Sequence, residues 1–151
     1  MSLSMNARSD ISGKMAGQGG RPRLSRLLIL QAVYCALGIG YNAISLLLIR
    51  TGGHPLSPTD PVMGMVVMAA YGACLVTGLL DYLTIYRVLM GLCVFVLGWG
   101  GVVTHIINAF GRLFLYGSTL AWGSAVAINL FGLVLNVLAA SGFFARDGRR
   151  R

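Results

Sequence analysis

Long stretches without a single charge limit this chain more than any other feature. Residues 88–110 read VLMGLCVFVLGWGGVVTHIINAF, 23 residues with no Asp, Glu, Lys or Arg. At ~1.5 Å of rise per residue, such a segment crosses the ~30 Å hydrocarbon core of a bilayer. Lipid offers the backbone no hydrogen-bond partner, so a lone segment crosses as a helix. Three further stretches have the same character: 27–49, 62–80 and 119–144. The chain is 56% hydrophobic and 11% charged, with a mean hydropathy of +0.77. A soluble domain carries about 25% charged residues. The expected fold class is therefore an all-α integral membrane protein, a four-transmembrane-helix antiparallel bundle with both termini cytoplasmic.

The connections fit that reading. Residues 50–61 contain Pro55, Pro58 and Pro61 and the pair Gly52-Gly53, which cannot continue a helix. Residues 81–87 read as a tight turn with Tyr82 and Tyr86 at the interface, and 111–118 as a short connector. Residues 1–26 lack an apolar period and read as a disordered basic tail, and 145–151 as a second basic tail. The first apolar stretch is too long for a signal peptide and ends without a small-residue cleavage site.

Charge sets the expected orientation. The net charge is +8, without one Glu and with Lys14 as the sole lysine. In a soluble chain that excess would point to nucleic acid. Here the basic residues stand at chain ends and segment ends, so the expected partner is the lipid bilayer and no nucleic acid. Ten of them (Arg8, Lys14, Arg21, Arg23, Arg26, Arg87, Arg146, Arg149, Arg150, Arg151) fall on one side, against Arg50 and Arg112 on the other. By the positive-inside rule the ten are cytoplasmic. Arg in place of Lys is the composition of a high-GC bacterial genome, so the expected location is a bacterial inner membrane. Cys35, Cys74 and Cys93 lie inside apolar stretches without a CxxC pair and read as small buried apolar residues.

Each span carries a stripe of small and polar residues at steps of three and four, and so on one face. The stripes are Gln31, Cys35, Gly38, Asn42 and Ser45; Ala70, Cys74, Thr77 and Asp81; Gly91, Gly98, Gly101, His105 and Asn108; and Ser118, Ala125, Asn129, Gly132, Asn136 and Ala139. In lipid, small residues admit close helix contact and polar ones bond across it, so the stripes should face one another. Helical rise puts Asn42, His105 and Asn129 roughly 22–25 Å from the cytoplasmic end. Gln31, Thr77 and Asn136 come out at roughly 5–12 Å. The polar interior thus falls into two layers, either interhelical bonds or a polar path. Asp81 and Arg87 mark an interface, as a surface turn with a weak ion pair or a lipid-headgroup contact.

His105 in a span needs partners, and Asn42 and Asn129 are the side-chain amides expected at its depth. Two imidazoles, His54 and His105, could alternatively hold one haem iron or metal at the outer side. No nucleophile–base set, phosphate loop or HExxH pattern is present, so neither an enzyme nor a bound cofactor is expected. The leading expectation is a non-catalytic membrane subunit or scaffold, with a protein partner in the membrane or as a homo-oligomer. The alternatives are a small translocator for a lipid-linked or hydrophobic solute, and the redox module.

The ending GLVLNVLAASGFFARDGRRR has an Asn in the last span, then aromatics and a basic tail. It resembles, over about one span, the small four-span proteins proposed to flip polyprenyl-linked sugars, and that resemblance implies a flippase. The stretch LLDYLTIYR departs from their pattern, with Asp81 in place of an Asn and aromatic pair. Small multidrug carriers share the span count, but their membrane Glu has no counterpart here. Neither likeness carries a site residue onto this chain.

Overall fold

A computed structural model describes residues 22–145. They form helices α1 (Leu24–Arg50), α2 (Pro61–Leu79), α3 (Leu83–Ala109) and α4 (Thr119–Ser141), with a 3-10 turn at Leu113–Leu115. No strand occurs among the described residues. All four helices are long and apolar enough to cross a membrane, so the chain is a helical bundle of multi-pass membrane type.

Helix ends follow local chemistry. Pro61 opens α2, and the Asp60 carboxylate accepts from the amide of Met63 at 2.8 Å. Proline costs nothing in a first turn, where no amide partner exists, and the Asp supplies the missing acceptor. Ser118 caps α4 likewise, its Oγ accepting from Ala121 N at 3.0 Å. Gly142, at φ +71°, ends α4 in the left-handed conformation.

Three boundaries differ from the sequence expectation. The turn after α2 is short: Asp81 takes φ 63° and the helix resumes at Leu83, not at 88. The last helix stops at Ser141 rather than 144. The first begins at Leu24, inside the stretch expected to be a disordered tail. Apolar stretches mark hydrocarbon thickness, whereas a helix runs on through the interface until a turn residue stops it. The remainder of both expected tails lies outside the described residues.

At one end of the bundle the first and last described residues meet. Ala145 N donates to Pro22 O at 2.9 Å, and Leu24 N to Ala145 O at 3.0 Å. Arg87 reaches the same place from α3, donating to the carbonyls of Ala140 (3.2 Å) and Ser141 (3.3 Å). A cation on the last carbonyls of a helix meets both unpaired acceptors and the negative end of the dipole. At the opposite end the two loops meet. Tyr41 Oη lies 3.1 Å from Leu56 O and 3.0 Å from Ala121 O, and Leu56 N donates to Ser45 Oγ at 3.0 Å. Ser57 is buried beneath this roof.

Between these ends the core is built around tyrosines. Tyr34, Tyr71 and Tyr86 are buried together with Leu27, Leu75, Met90 and Leu135. Phe95, Leu79, Val96 and Leu120 face outward, as expected where lipid is the solvent. The α3 backbone widens into a π segment over Gly98–Val103, and Thr104 Oγ1 donates to Trp99 O at 3.0 Å there. Such segments are rare and concentrate at functional sites.

Candidate functional site

The two expected polar layers are built differently. Near the terminal end, Gln31 from α1 and Asn136 from α4 are fully buried and bonded, Nε2 to Oδ1 at 3.1 Å. Tyr86 donates to Gln31 Oε1 at 2.5 Å and Tyr71 to Asn136 Oδ1 at 2.8 Å. One side chain from each helix thus enters a single closed cluster. Thr77 stays outside it, its hydroxyl donating to Cys74 O of its own helix at 2.7 Å. The expected α2 stripe lies to one side of the centre: Ala70 is exposed, Cys74 and Thr77 are half-buried, and Met68, Tyr71, Leu75 and Gly78 are the buried residues. Bulk decided this rotation, because Tyr71 fills more of the core than Ala70 could.

Near the loop end, Asn42, His105 and Asn129 line one cavity of about 230 Å³. All four helices contribute: Tyr34 and Gly38 from α1, Gly64 and Met68 from α2, Leu97 and Gly101 from α3, Ala125 and Ile128 from α4. Its α3 wall includes Gly100 and Gly101 of the π segment. Met63 and Val96, on the α2 and α3 sides, are exposed at the outer surface of the bundle as well. Among the described residues, no Asp, Glu, Lys or Arg lines the cavity.

The three polar residues share this cavity without bonding one another. Asn42 Nδ2 donates to Gly38 O and Asn129 Nδ2 to Ala125 O, each at 2.8 Å and each one turn back on its own helix. His105 Nδ1 lies 2.6 Å from the hydroxyl of Tyr116, which also accepts from Asn108 Nδ2 at 3.3 Å. The expected pairing of His105 with the two amides is therefore corrected. The connector folds back and delivers a phenol from outside the spans. Trp122 Nε1 adds a bond to the carbonyl of His105 at 2.9 Å, holding α4 to the end of α3.

Arg87 serves the end of α4, while Asp81 occupies the turn after α2. His54 is exposed in the first loop, and His105 is buried against Tyr116. Among the described residues, no three His, Cys, Asp or Glu side chains gather as metal ligands would.

Sequence reasoning missed the tyrosines. Tyr86, expected at the interface, is wholly buried and bonded to Gln31. Tyr34 is also fully buried, edge-on to Tyr71 at 5.2 Å, and its hydroxyl has no partner. A signal existed: Tyr34 lies three residues after Gln31 and four before Gly38, on the same helical face, and a phenol in a span needs a polar neighbour.

Compared with known protein families, curated proteins and solved structures, the chain matches none.

Proposed function

We propose that the chain is an antiparallel four-helix bundle of a bacterial inner membrane, with both termini cytoplasmic. In this reading it is a small translocator that takes a neutral hydrophobic or lipid-like solute into its outer half. The cavity of about 230 Å³ carries the proposal. It brings two amides and an imidazole from three helices into one space beside the π segment, where Tyr34, Tyr41, Ser57 and Thr59 add hydroxyls to a lining that is otherwise apolar. A polar group in a lipid-embedded bundle is costly where its hydrogen bonds are incomplete, so half-buried Asn42 and Asn129 with buried His105 on one cavity wall favour a ligand. The orientation rests on charge: Arg23, Arg26 and Arg87 stand at the terminal end, and Arg50 and Arg112 at the loop end.

Flipping of a fluorescent neutral lipid in proteoliposomes tests this, scored by an impermeant quencher. A protein-dependent rate is expected, and it should fall with Gly101→Leu, whose side chain collides with Asn129 at the cavity wall. A rate equal to that of protein-free liposomes would remove the translocator reading.

One observation favours a second reading, the non-catalytic membrane subunit or scaffold. The Gln31–Asn136–Tyr71–Tyr86 cluster bonds across all four helices, leaving Asn136 Nδ2 without a partner among the described residues, and fills the terminal-end half. A static plug suits a subunit that does not cycle. In mild detergent such a subunit should come out with a stoichiometric protein partner or as a homo-oligomer.

A further inference from the structure

The hydrogen-bonding character of the cavity wall follows from which atoms are already used. In Asn42 and Asn129 the amide nitrogen faces a backbone carbonyl. Only nitrogen can donate to a carbonyl, so the other amide atom is oxygen in both residues. Each oxygen lies over a glycine that also lines the cavity, Asn42 Oδ1 over Gly64 and Asn129 Oδ1 over Gly101. The wall therefore presents two amide acceptors.

His105 supplies the complement. The Tyr116 oxygen already accepts from Asn108 Nδ2, and its single proton has Nδ1 of His105 at 2.6 Å. Nδ1 then accepts, and the proton of the neutral imidazole sits on Nε2. Nε2 makes no hydrogen bond to the described residues, on a ring that lines the cavity. Of these three residues one donor and two acceptors line the space, beside the hydroxyls of Tyr34, Tyr41, Ser57 and Thr59, and no charged side chain lines it among the described residues.

From this set we infer that the cavity binds the head of a neutral, hydroxyl-bearing amphipath and rejects phosphate and carboxylate heads. The inference rests on the solute-binding reading above and narrows its ligand class. A hydroxyl donates to an amide oxygen and accepts from Nε2–H, so two hydroxyls satisfy all three groups. A carboxylate or phosphate brings acceptors to two acceptors, and a desolvated charge without a counter-ion is expensive. A quaternary ammonium has no N–H for either amide. Size agrees: a cavity of about 150 Å³ holds a benzene ring, so about 230 Å³ holds a glycerol-sized head and the first part of a chain. The rest of the chain leaves between α2 and α3, where the lining residues Met63 and Val96 are also exposed on the outside of the bundle.

The test uses the full chain in phosphatidylcholine nanodiscs, whose lipid carries no hydroxyl. Thermal unfolding is followed with four probes sharing a ten-carbon chain: 1-decanoylglycerol, decane, decanoate and decyltrimethylammonium. The expected result is a dose-dependent rise in the midpoint with decanoylglycerol, at an apparent affinity at least tenfold above those of the two ionic probes. Asn42→Leu and Asn129→Leu should each weaken it about 2- to 10-fold, the factor of one neutral hydrogen bond. His105→Gln, which still donates, should lose less than His105→Leu. If decane stabilises as well as decanoylglycerol, the solute-binding reading stands and the hydroxyl inference is overturned. Equal binding of either ionic probe overturns it too. If none of the four shifts the midpoint, both fail together. The wild-type comparison needs no variant, so a variant that does not fold leaves the decision intact.

Discussion

Nδ1 of His105 and the hydroxyl of Tyr116 lie 2.6 Å apart, and this pair ties the end of α3 to the connector that leads into α4. Both side chains are buried, and Asn108 completes the group. Tyr116→Phe would strand Nδ1 and the Asn108 amide together, a cost of about 1–3 kcal/mol. His105→Leu should cost a similar amount, and His105→Gln less. Because the two residues share one bond, the double variant His105→Leu/Tyr116→Phe should cost less than the sum of the singles. Thermal unfolding in detergent measures all four. Strict additivity would mean that the pair does not form.

The two polar layers should differ sharply in their effect on stability. Gln31→Leu removes the acceptor of Tyr86 and a donor to Asn136, both wholly buried. A cross-helix bond in lipid is worth about 0.6 kcal/mol and up to ~2, so losing two should cost about 1–3 kcal/mol. Asn42→Leu removes only a bond to its own helix one turn back, and stability should change by less than about 0.5 kcal/mol. The same unfolding measurement compares them. Equal losses would show that Asn42 also holds helices together.

Tyr34 offers the opposite sign. Its hydroxyl is buried without a partner, which costs stability, while its ring packs on Gly132 and Tyr71. Tyr34→Phe keeps the ring and should raise stability, by about 1 kcal/mol. Gly132→Ala should do the reverse, because an added Cβ collides with that ring. Gly40→Ala is the control: nothing lies within 4 Å of its Cβ position, and alanine is the better helix former. A destabilising Tyr34→Phe would reveal a partner for the hydroxyl.

Much of this was legible in the residues themselves. The four spans followed from length and charge alone, and Gln31, Asn136, Asn42 and Asn129 fell on inward faces because helical periodicity is a local property. Asn42, His105 and Asn129, expected at one level, line one cavity. Pairing was not. The partner of His105 comes from a connector whose path depends on the 3-10 turn and on Asn108, features that carry no apolar period. The rotation of α2 was hidden for another reason: small residues mark a packed face only when no larger side chain competes, and Tyr71 competes. The π segment lay within a glycine-rich stretch, GWGGVV, that reads equally well as close packing.

The proposed topology can be decided by labelling. Pro58 and Thr84 are both exposed, the first in the loop-end connection between α1 and α2, the second just after the turn at the terminal end. With both termini cytoplasmic, an impermeant maleimide added to intact cells should reach Pro58→Cys and leave Thr84→Cys unlabelled until the cells are opened. The native cysteines are half-buried within helices, so replacing Cys35, Cys74 and Cys93 with Ala or Ser gives a clean background. Ser57 would be a poor probe despite its place in the same loop, because its side chain is buried under the roof. The charge argument makes the expected pattern unequal in a definite sense: the loop end holds Arg50 and Arg112, while the terminal end holds Arg23, Arg26 and Arg87 and adjoins both basic tails. Adding two Arg at exposed loop-end positions, such as Thr51→Arg with Pro58→Arg, should weaken that bias and produce a mixed population. Labelling of Thr84→Cys in intact cells with Pro58→Cys protected would reverse the orientation, and with it the side from which the cavity is filled.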